Sequence, residues 1–466
     1  MKKILAIMFL TAILFVTGYA LLMIYPDFKA PVSLSENKKP LEVTIEFWGL
    51  WDNSDDWSEI IEKFESETYN FNGQEVAVSI NYTKKEFDQY EDELAYLKQK
   101  DGEPNIFVID SNWLEKYAGW LESLNENNAY AEEYGLIKYG EVTDLFPTET
   151  IRGLFFDNKL YSIPLYSDSL ALFYNKDLFA DAEIDSPPKT WAEFKIATKK
   201  LTDLNRKNEI IQPGAALGCG ENINRASDIL ALLIMQGGAK IIDEDKNIDL
   251  GKEIEVRTLT GIEKRNPSKK AIVFYTEFSN PKKNIYTWDS EQNDSIQSFA
   301  EGKAAMIMAY NYQIKNLLVL NHNLNYGVSP MPQLENSTVV NFANTWTPVV
   351  SKNNNCEVYP PEARSKVDCA KIAWSFLSFA NEKENAKLYL ASTKKASARK
   401  DLIAEQIKLD NKISVFASQA ESAVGYHKFD DRIDVILVEM IDEINWDREN
   451  LEKIIDEAVE KIEKLK

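Results

Sequence analysis

From Leu41 the chain reads LEVTIEFWG, in which Leu41, Val43, Ile45 and Phe47 alternate with polar or larger edge residues. That period of two predicts a strand ending at Gly49. DDWSEIIEKFESET follows, with Trp57, Ile60, Ile61 and Phe64 at helical spacing behind acidic residues that suit a helix N-terminus. QEVAVSINYT predicts a second strand, FDQYEDELAYLKQ a second helix, and PNIFVID a third strand, short and apolar as a buried parallel strand is. Strand, helix, strand, helix, strand is the pattern of a parallel sheet with crossover helices. Further on, LALFYN reads as a strand and PPKTWAEF as a turn into a helix, Thr190 capping it and Glu193 closing a capping box. Tyr174, Trp191 and Trp374 fall on periodic faces and are assigned to the core. At the C-terminus Leu451, Ile454, Ile455, Ala458, Val459, Ile462 and Leu465 share one helix face, expected to dock on the chain's own fold rather than on a coiled-coil partner.

In a parallel sheet, ligands sit beyond the carboxyl ends of the strands. The loop carrying Trp51 and Asp52 follows the first strand and Asp110 follows the third, so all three are expected at one edge. Asp110 is equally suited to capping the helix predicted over NWLEKYAGWL, and one carboxylate can serve both ends.

A chain of 466 residues exceeds one ordinary core, so two lobes are expected. Its net charge of −21 is spread along the chain, which argues against a nucleic-acid partner, since that would call for a basic face. The two histidines, His322 and His427, and the lack of any CxxC leave little from which to build a zinc site or a histidine-based triad. No metal and no cofactor is expected. Cys356 and Cys369 are close enough in sequence to pair, and Cys219 is then the odd one. Lys2 and Lys3 precede the uncharged stretch Ile4–Tyr25, whose 22 residues would rise roughly 33 Å as a helix, enough to span a bilayer. The lysines favour an inside N-terminus, putting the bulk of the chain outside the cytoplasm. A cleavable signal peptide competes, with Gly18 and Ala20 as its small residues, but the apolar run continues past Ala20 and favours an uncleaved anchor.

The stretch YSIPLYSDSLALFYNKDLF, followed by PPKTWAEF, resembles the extracellular solute-binding proteins of sugar ABC importers, the family of maltose-binding protein. GAALGCGENINRASDILALLIMQGGAKIID, FYTEFSNPKKNIYTWD, SIQSFAEGKAAMIMAYNYQI, NYGVSPMPQ and ARKDLI continue the match in order. The resemblance implies a two-lobed α/β periplasmic-binding-protein-like fold of the class II type, with hinge crossings and a ligand held between lobes. The hydropathy of the N-terminus, in which the chain departs from that family, would make 1–3 cytoplasmic, 4–25 an anchor or signal, and 26–40 a tether. Lobe 1 would comprise 41–167 and about 310–345, and lobe 2 would comprise 168–309 and about 346–466.

A sugar offers hydroxyls at its rim and C–H patches on its faces, so its site needs flat rings and planar hydrogen-bonding groups. Trp51, Asp52 and Asp110 lie on strand-end loops. Tyr166 and Asp168 lie on the first crossing, and the resemblance gives the position of Asp168 a ligand-contacting carboxylate. Tyr310 and Tyr312 follow AAMIMA, where a second crossing is expected, and Trp346 lies near a third. Trp288 and Arg399 complete the candidates. The expected function is a membrane-tethered receptor that delivers a carbohydrate to an ABC importer permease. The alternatives are a binding protein for another solute, a ligand-sensing subunit, and a membrane-anchored glycosidase, with an enzyme the less expected outcome in the absence of GxxxxGK[ST], HExxH or GxSxG.

Overall fold

The computed structural model describes residues 39–466 except 72, 125–129, 244–245, 259–260 and 426–427. The apolar stretch Ile4–Tyr25 and the tether as far as residue 38 lie outside the described residues. No helix among the described residues is long and apolar enough to cross a membrane.

The first lobe is built on β1 (Leu41–Gly49), α1 (Ser54–Glu65), β2 (Thr68–Phe71), β3 (Gln74–Lys84), α2 (Phe87–Lys98) and β4 (Ile106–Asp110). β1 and β3 run parallel from Leu41 opposite Val76 to Gly49 opposite Lys84, and β4 joins parallel at Phe47 and Trp48. The expected parallel sheet is therefore present. The hairpin of β2 with β3 is an addition, since four residues, TYNF, carry too short a pattern to read. α1 buries Trp57, Ile60 and Phe64, one stripe of the helix, and Asp56 accepts from the Asn53 amide at 2.9 Å to close its first turn. Phe47 and Trp57 meet edge to face at 4.9 Å, adding about 0.5–1.5 kcal/mol to the burial of their rings. The segment expected as one helix after β4 breaks into short turns of 3₁₀ and α-helix, because Asp110 accepts from the Asn112 amide and starts a tight turn.

The second lobe centres on β5 (Ala171–Asn175), flanked antiparallel by β6 (Met306–Ala309) and β7 (Tyr326–Ser329). Thr190 caps the helix Trp191–Leu201 and Glu193 closes its box. α3 (Ala226–Gln236) is buried on nearly every side. The helices Arg432–Trp446 and Leu451–Glu463 seal the same core through Ile441, Ile444, Ile454, Ile455 and Ile462.

The expected lobe boundaries need correction after Ala309. Leu317, Met331 and Phe342 pack into the second core, so 310–345 belongs to lobe 2, not lobe 1. β8 (Trp346–Val350) instead pairs antiparallel with β4, and Trp374, Phe376 and Tyr389 join the first core. The stretch from 346 to about 400 is thus lobe 1, and the chain returns to lobe 2 only afterwards. The chain does not cross after AAMIMA, because β6 leads into the helix Gln313–Leu320 and then into β7 of the same sheet. Three crossings lie side by side. Asp168 and Ser169 pair with Asn344 and Ala343, and Tyr166 pairs with Ser397. Cys356 and Cys369 form a disulfide within lobe 1, and Cys219 is a free, buried thiol.

Candidate functional site

Between the lobes lies a cleft of about 530 Å³. Its first wall is aromatic, because three separate chain segments end at the same sheet edge. Trp51 sits in the loop after β1, Phe87 opens α2 after β3, and Trp346 starts β8 opposite Asp110 at the end of β4. Trp51 and Phe87 stack at 5.5 Å, and Trp346 meets them edge-on at 5.1 and 5.8 Å. Trp113 backs this cluster, stacked on Phe87 and edge-on to Trp346. Trp51 and Phe87 each keep 46% of their surface exposed, so the ring faces turned to the cleft are wet.

The opposite wall comes from lobe 2. Tyr310 and Tyr312 stack at 6.0 Å, and the Arg225 guanidinium lies over Tyr310 at 5.5 Å. Lys315, Asn316 and Val319, on the helix after them, form the lip. The floor is made by the crossings, which contribute Tyr166, Asp168, Asn344 and Lys395.

Asp168 is held in place by its backbone surroundings. Its Oδ1 accepts from the amides of Ser169 and Asn311, both at 2.9 Å. Burial pushes its pKa up to about 6, with the Asn311 bond and the Lys395 charge opposing the rise. Lys395 donates to Asp52 Oδ1 at 2.6 Å and to the Tyr389 hydroxyl at 3.0 Å, and lies 3.8 Å over the Tyr166 ring. Tyr389 donates to the other Asp52 oxygen at 2.6 Å. Burial pushes the Tyr310 phenol well above its ordinary range, and Asp228, which accepts its proton at 2.8 Å, adds to the rise. The Asn344 Oδ1 is buried with no hydrogen-bond partner among the described residues, although the side chain lines the cleft.

Of the ten residues nominated from sequence, Trp51, Tyr166, Asp168, Tyr310, Tyr312 and Trp346 are brought together on the cleft wall. Asp52 stands behind the wall, occupied by Lys395 and Tyr389. Asp110 is buried beneath it as a turn cap, its pKa raised by burial to about 6 against the pull of Lys428. Trp288 is a correction. It is fully buried in the core of lobe 2 and donates to Asn222 Oδ1 at 3.0 Å, which satisfies its only polar atom. Arg399 is another, its guanidinium spent on Asp401 and on the Asn381 carbonyl.

Sequence reasoning missed Phe87, Arg225, Lys315, Asn316, Val319, Asn344 and Lys395. Phe87 was within reach, because it follows the second strand as Trp51 follows the first. Arg225 ends the polar loop GENINR just before an apolar helix, a second usable signal.

The model of the bacterial extracellular solute-binding protein family matches residues 51–387. A galactooligosaccharide-binding protein of Bacillus subtilis (strain 168) is 26% identical over 290 residues, covering 61% of this chain and 58% of that protein. The sn-glycerol-3-phosphate-binding periplasmic protein UgpB of Shigella flexneri is 26% identical over 250 residues, covering 51% and 49% respectively. The chain thus spans about half to three fifths of the length of these relatives. The solved structure of the cyclic alpha-maltosyl-1,6-maltose binding protein from Arthrobacter globiformis superposes with a TM-score of 0.68 at 16% identity, over 90% of this chain and 98% of that one. It shares the two-lobed fold.

Proposed function

This chain belongs to the bacterial extracellular solute-binding proteins, and from that premise we propose that it captures a saccharide outside the cell and delivers it to the permease of an ABC importer. The observation that carries the reading is the pair of facing aromatic walls, Trp51, Phe87 and Trp346 on one lobe and Tyr310 and Tyr312 on the other. Flat rings on both sides suit the two C–H faces of a sugar, while Asp168, Asn344 and Tyr166 offer polar groups to its rim. The saccharide named for the Bacillus subtilis relative adds support.

The mechanism is hinge closure. A ligand that touches both walls binds the closed arrangement more tightly than the open one, and that difference alone drives the shift. A guest confined to one wall would bind without closing the lobes. Anchoring through Ile4–Tyr25 keeps the receptor beside its permease, and a ligand-sensing role would use the same closure with a different partner. Cationic solutes fit less well, because Asp52 is already neutralised by Lys395 and Asp110 does not line the cleft. Glycosidase chemistry would need two carboxyl groups flanking the scissile bond. Asp168 is the one carboxylate among the described residues of the cleft wall.

The test is titration of the full chain in mild detergent with mono- and oligosaccharides, read by tryptophan fluorescence and thermal melting. A saturating ligand at 100 times its Kd should stabilise the fold by about 2.7 kcal/mol. If no sugar in a broad panel gives a saturable change in either signal, the saccharide reading fails.

A further inference from the structure

Three cations line the cleft, Arg225, Lys315 and Lys395, against one carboxylate, Asp168. That balance is unexpected in a chain of net charge −21. The charges differ in how far the protein has already used them. Lys395 is consumed by Asp52, Tyr389 and the Tyr166 ring. Arg225 is used on one edge only. Its Nε donates to Asp228 Oδ2 at 2.7 Å, and its plane lies over Tyr310. Neither terminal nitrogen makes a hydrogen bond among the described residues. Lys315, exposed on the lip, has no ion-pair or hydrogen-bond partner among them.

Arg225 is also held in an uncommon backbone state. Its φ is +61° and ψ +36°, the left-handed region that a side-chain-bearing residue seldom occupies, at the N-cap position just before α3. The strain is fixed by its surroundings. Asp228, one turn into α3, accepts both the Arg225 Nε and the Tyr310 hydroxyl on the same oxygen. The guanidinium is thereby immobilised with its two-nitrogen fork unfilled, on the wall of a cleft. A fork of this geometry pairs two parallel N–H groups with the two oxygens of an oxyanion, and Lys315 adds a point charge from the rim.

We propose that the saccharide taken by this cleft carries an acidic group, a hexuronate carboxylate, which the Arg225 fork grips and Lys315 assists. The inference rests on the saccharide reading above and narrows it. The aromatic walls hold the sugar faces and the fork reads the charge. Asp228 is the positioning residue behind the fork. Its carboxylate neutralises the guanidinium overall while leaving the unfilled edge as donor, so selection depends on directed hydrogen bonds as well as on net charge.

Calorimetric titration of the full chain with a hexuronate trisaccharide, its neutral hexose counterpart and glycerol 3-phosphate tests this. The uronate should bind roughly 10- to 100-fold more tightly than the neutral sugar, the span expected for charge-assisted hydrogen bonds. Raising the salt concentration should narrow that ratio. Arg225→Gln should remove most of the preference, and Arg225→Lys should restore part of it, since it keeps the charge and loses the fork. Lys315→Gln, at an exposed position, keeps the question answerable should the Arg225 variants fold poorly, and should lower the preference by a smaller factor. Equal affinity for the uronate and its neutral counterpart, or a preference untouched by both Gln variants, would overturn the inference and leave the saccharide reading standing. Binding of glycerol 3-phosphate with no affinity for any sugar would overturn both.

Discussion

Removing Asp52 tests whether the cleft floor is braced by charge. Its carboxylate holds the Lys395 ammonium at 2.6 Å and the Tyr389 hydroxyl at 2.6 Å, with side-chain exposures of 15% for Asp52 and 12% for Lys395. In Asp52→Ala the ammonium keeps the Tyr389 hydroxyl, the Tyr166 and Tyr389 rings and the more distant charge of Asp168. Breaking a buried pair from one side costs about 3–5 kcal/mol, because the remaining charge has lost its partner. Lys395 borders the cleft and can recover some water, which brings the expected cost to about 2–3 kcal/mol. For about 430 residues melting together, an unfolding entropy near 0.9 kcal/mol per kelvin turns that into a fall of roughly 2–3 °C in Tm.

The companion variant Lys395→Met separates charge from packing. With both groups replaced by apolar ones no buried charge is stranded, so the double variant should recover to within about 1 kcal/mol of wild type. Urea unfolding of the four proteins gives the coupling as a double-mutant cycle, expected to be about 2 kcal/mol. The reasoning fails if Asp52→Ala costs less than about 0.5 kcal/mol, or if adding Lys395→Met deepens the loss.

Trp51→Ala should cost about 1–2 kcal/mol through its lost ring contacts with Phe87 and Trp346, yet weaken saccharide binding at least about tenfold; a full-strength ligand response in folded variant protein would count against the aromatic wall. Asp168 carries a folded-state pKa of about 6 against roughly 3.9 in the unfolded chain, so between about pH 4 and 6 the folded state holds the extra proton. Its contribution to stability therefore falls as pH rises through that window, by up to roughly 3 kcal/mol, the reverse of a salt-bridged carboxylate. Asp168→Asn should remove that slope and gain stability over wild type at pH 7 relative to pH 4; parallel pH profiles for the two proteins would refute the assignment. Among the contacts of the described residues that bridge the lobes are Trp113 Nε1 to Asp431 at 2.7 Å and Lys246 to Glu115 at 2.8 Å. Asp431→Ala combined with Lys246→Gln should cost about 1–3 kcal/mol, most of it from the buried Trp113 N–H left without its acceptor, and increase the radius of gyration seen by X-ray scattering; an unchanged scattering curve would show that neither contact restrains the lobes.

The legible part of the fold was the part governed by local pattern. β1, α1, β3, α2 and β4 follow from period and capping, and so does the helix that Thr190 and Glu193 begin. What failed was the account of where the chain changes lobe. A short apolar strand such as Met306–Ala309 reads the same whether it leads out of a lobe or back into it, and pairing with Ala171–Asn175 decides the matter. Trp288 shows the same limit at one residue. Its flanks are polar, as in an exposed loop, but Asn222, 66 positions away, meets the indole N–H and allows full burial. Asp52 was placed at the right edge with the wrong freedom, since its partner Lys395 is 343 positions distant.

On the proposed hinge closure, that distance lets the cleft couple a guest to lobe movement. The floor is not carried by either lobe alone, because Asp168, Asn344 and Lys395 lie on or beside three different crossings. Asp168 is tied to lobe 2 through the Asn311 amide, while Lys395, close enough to lower its pKa, is tied to lobe 1 through Asp52. A ligand hydroxyl on Asp168 therefore touches a group whose supports belong to both bodies. On the proposed closure, rotation about the crossings alters the spacing between Asp168 and Lys395, since each is tied to a different lobe. A guest that fixes this spacing selects one lobe angle, so affinity and closure share the same few hydrogen bonds. Asp168→Asn should accordingly alter the ligand-induced change in scattering as well as the Kd, and a variant that lost affinity while keeping the full change would place the coupling elsewhere in the hinge.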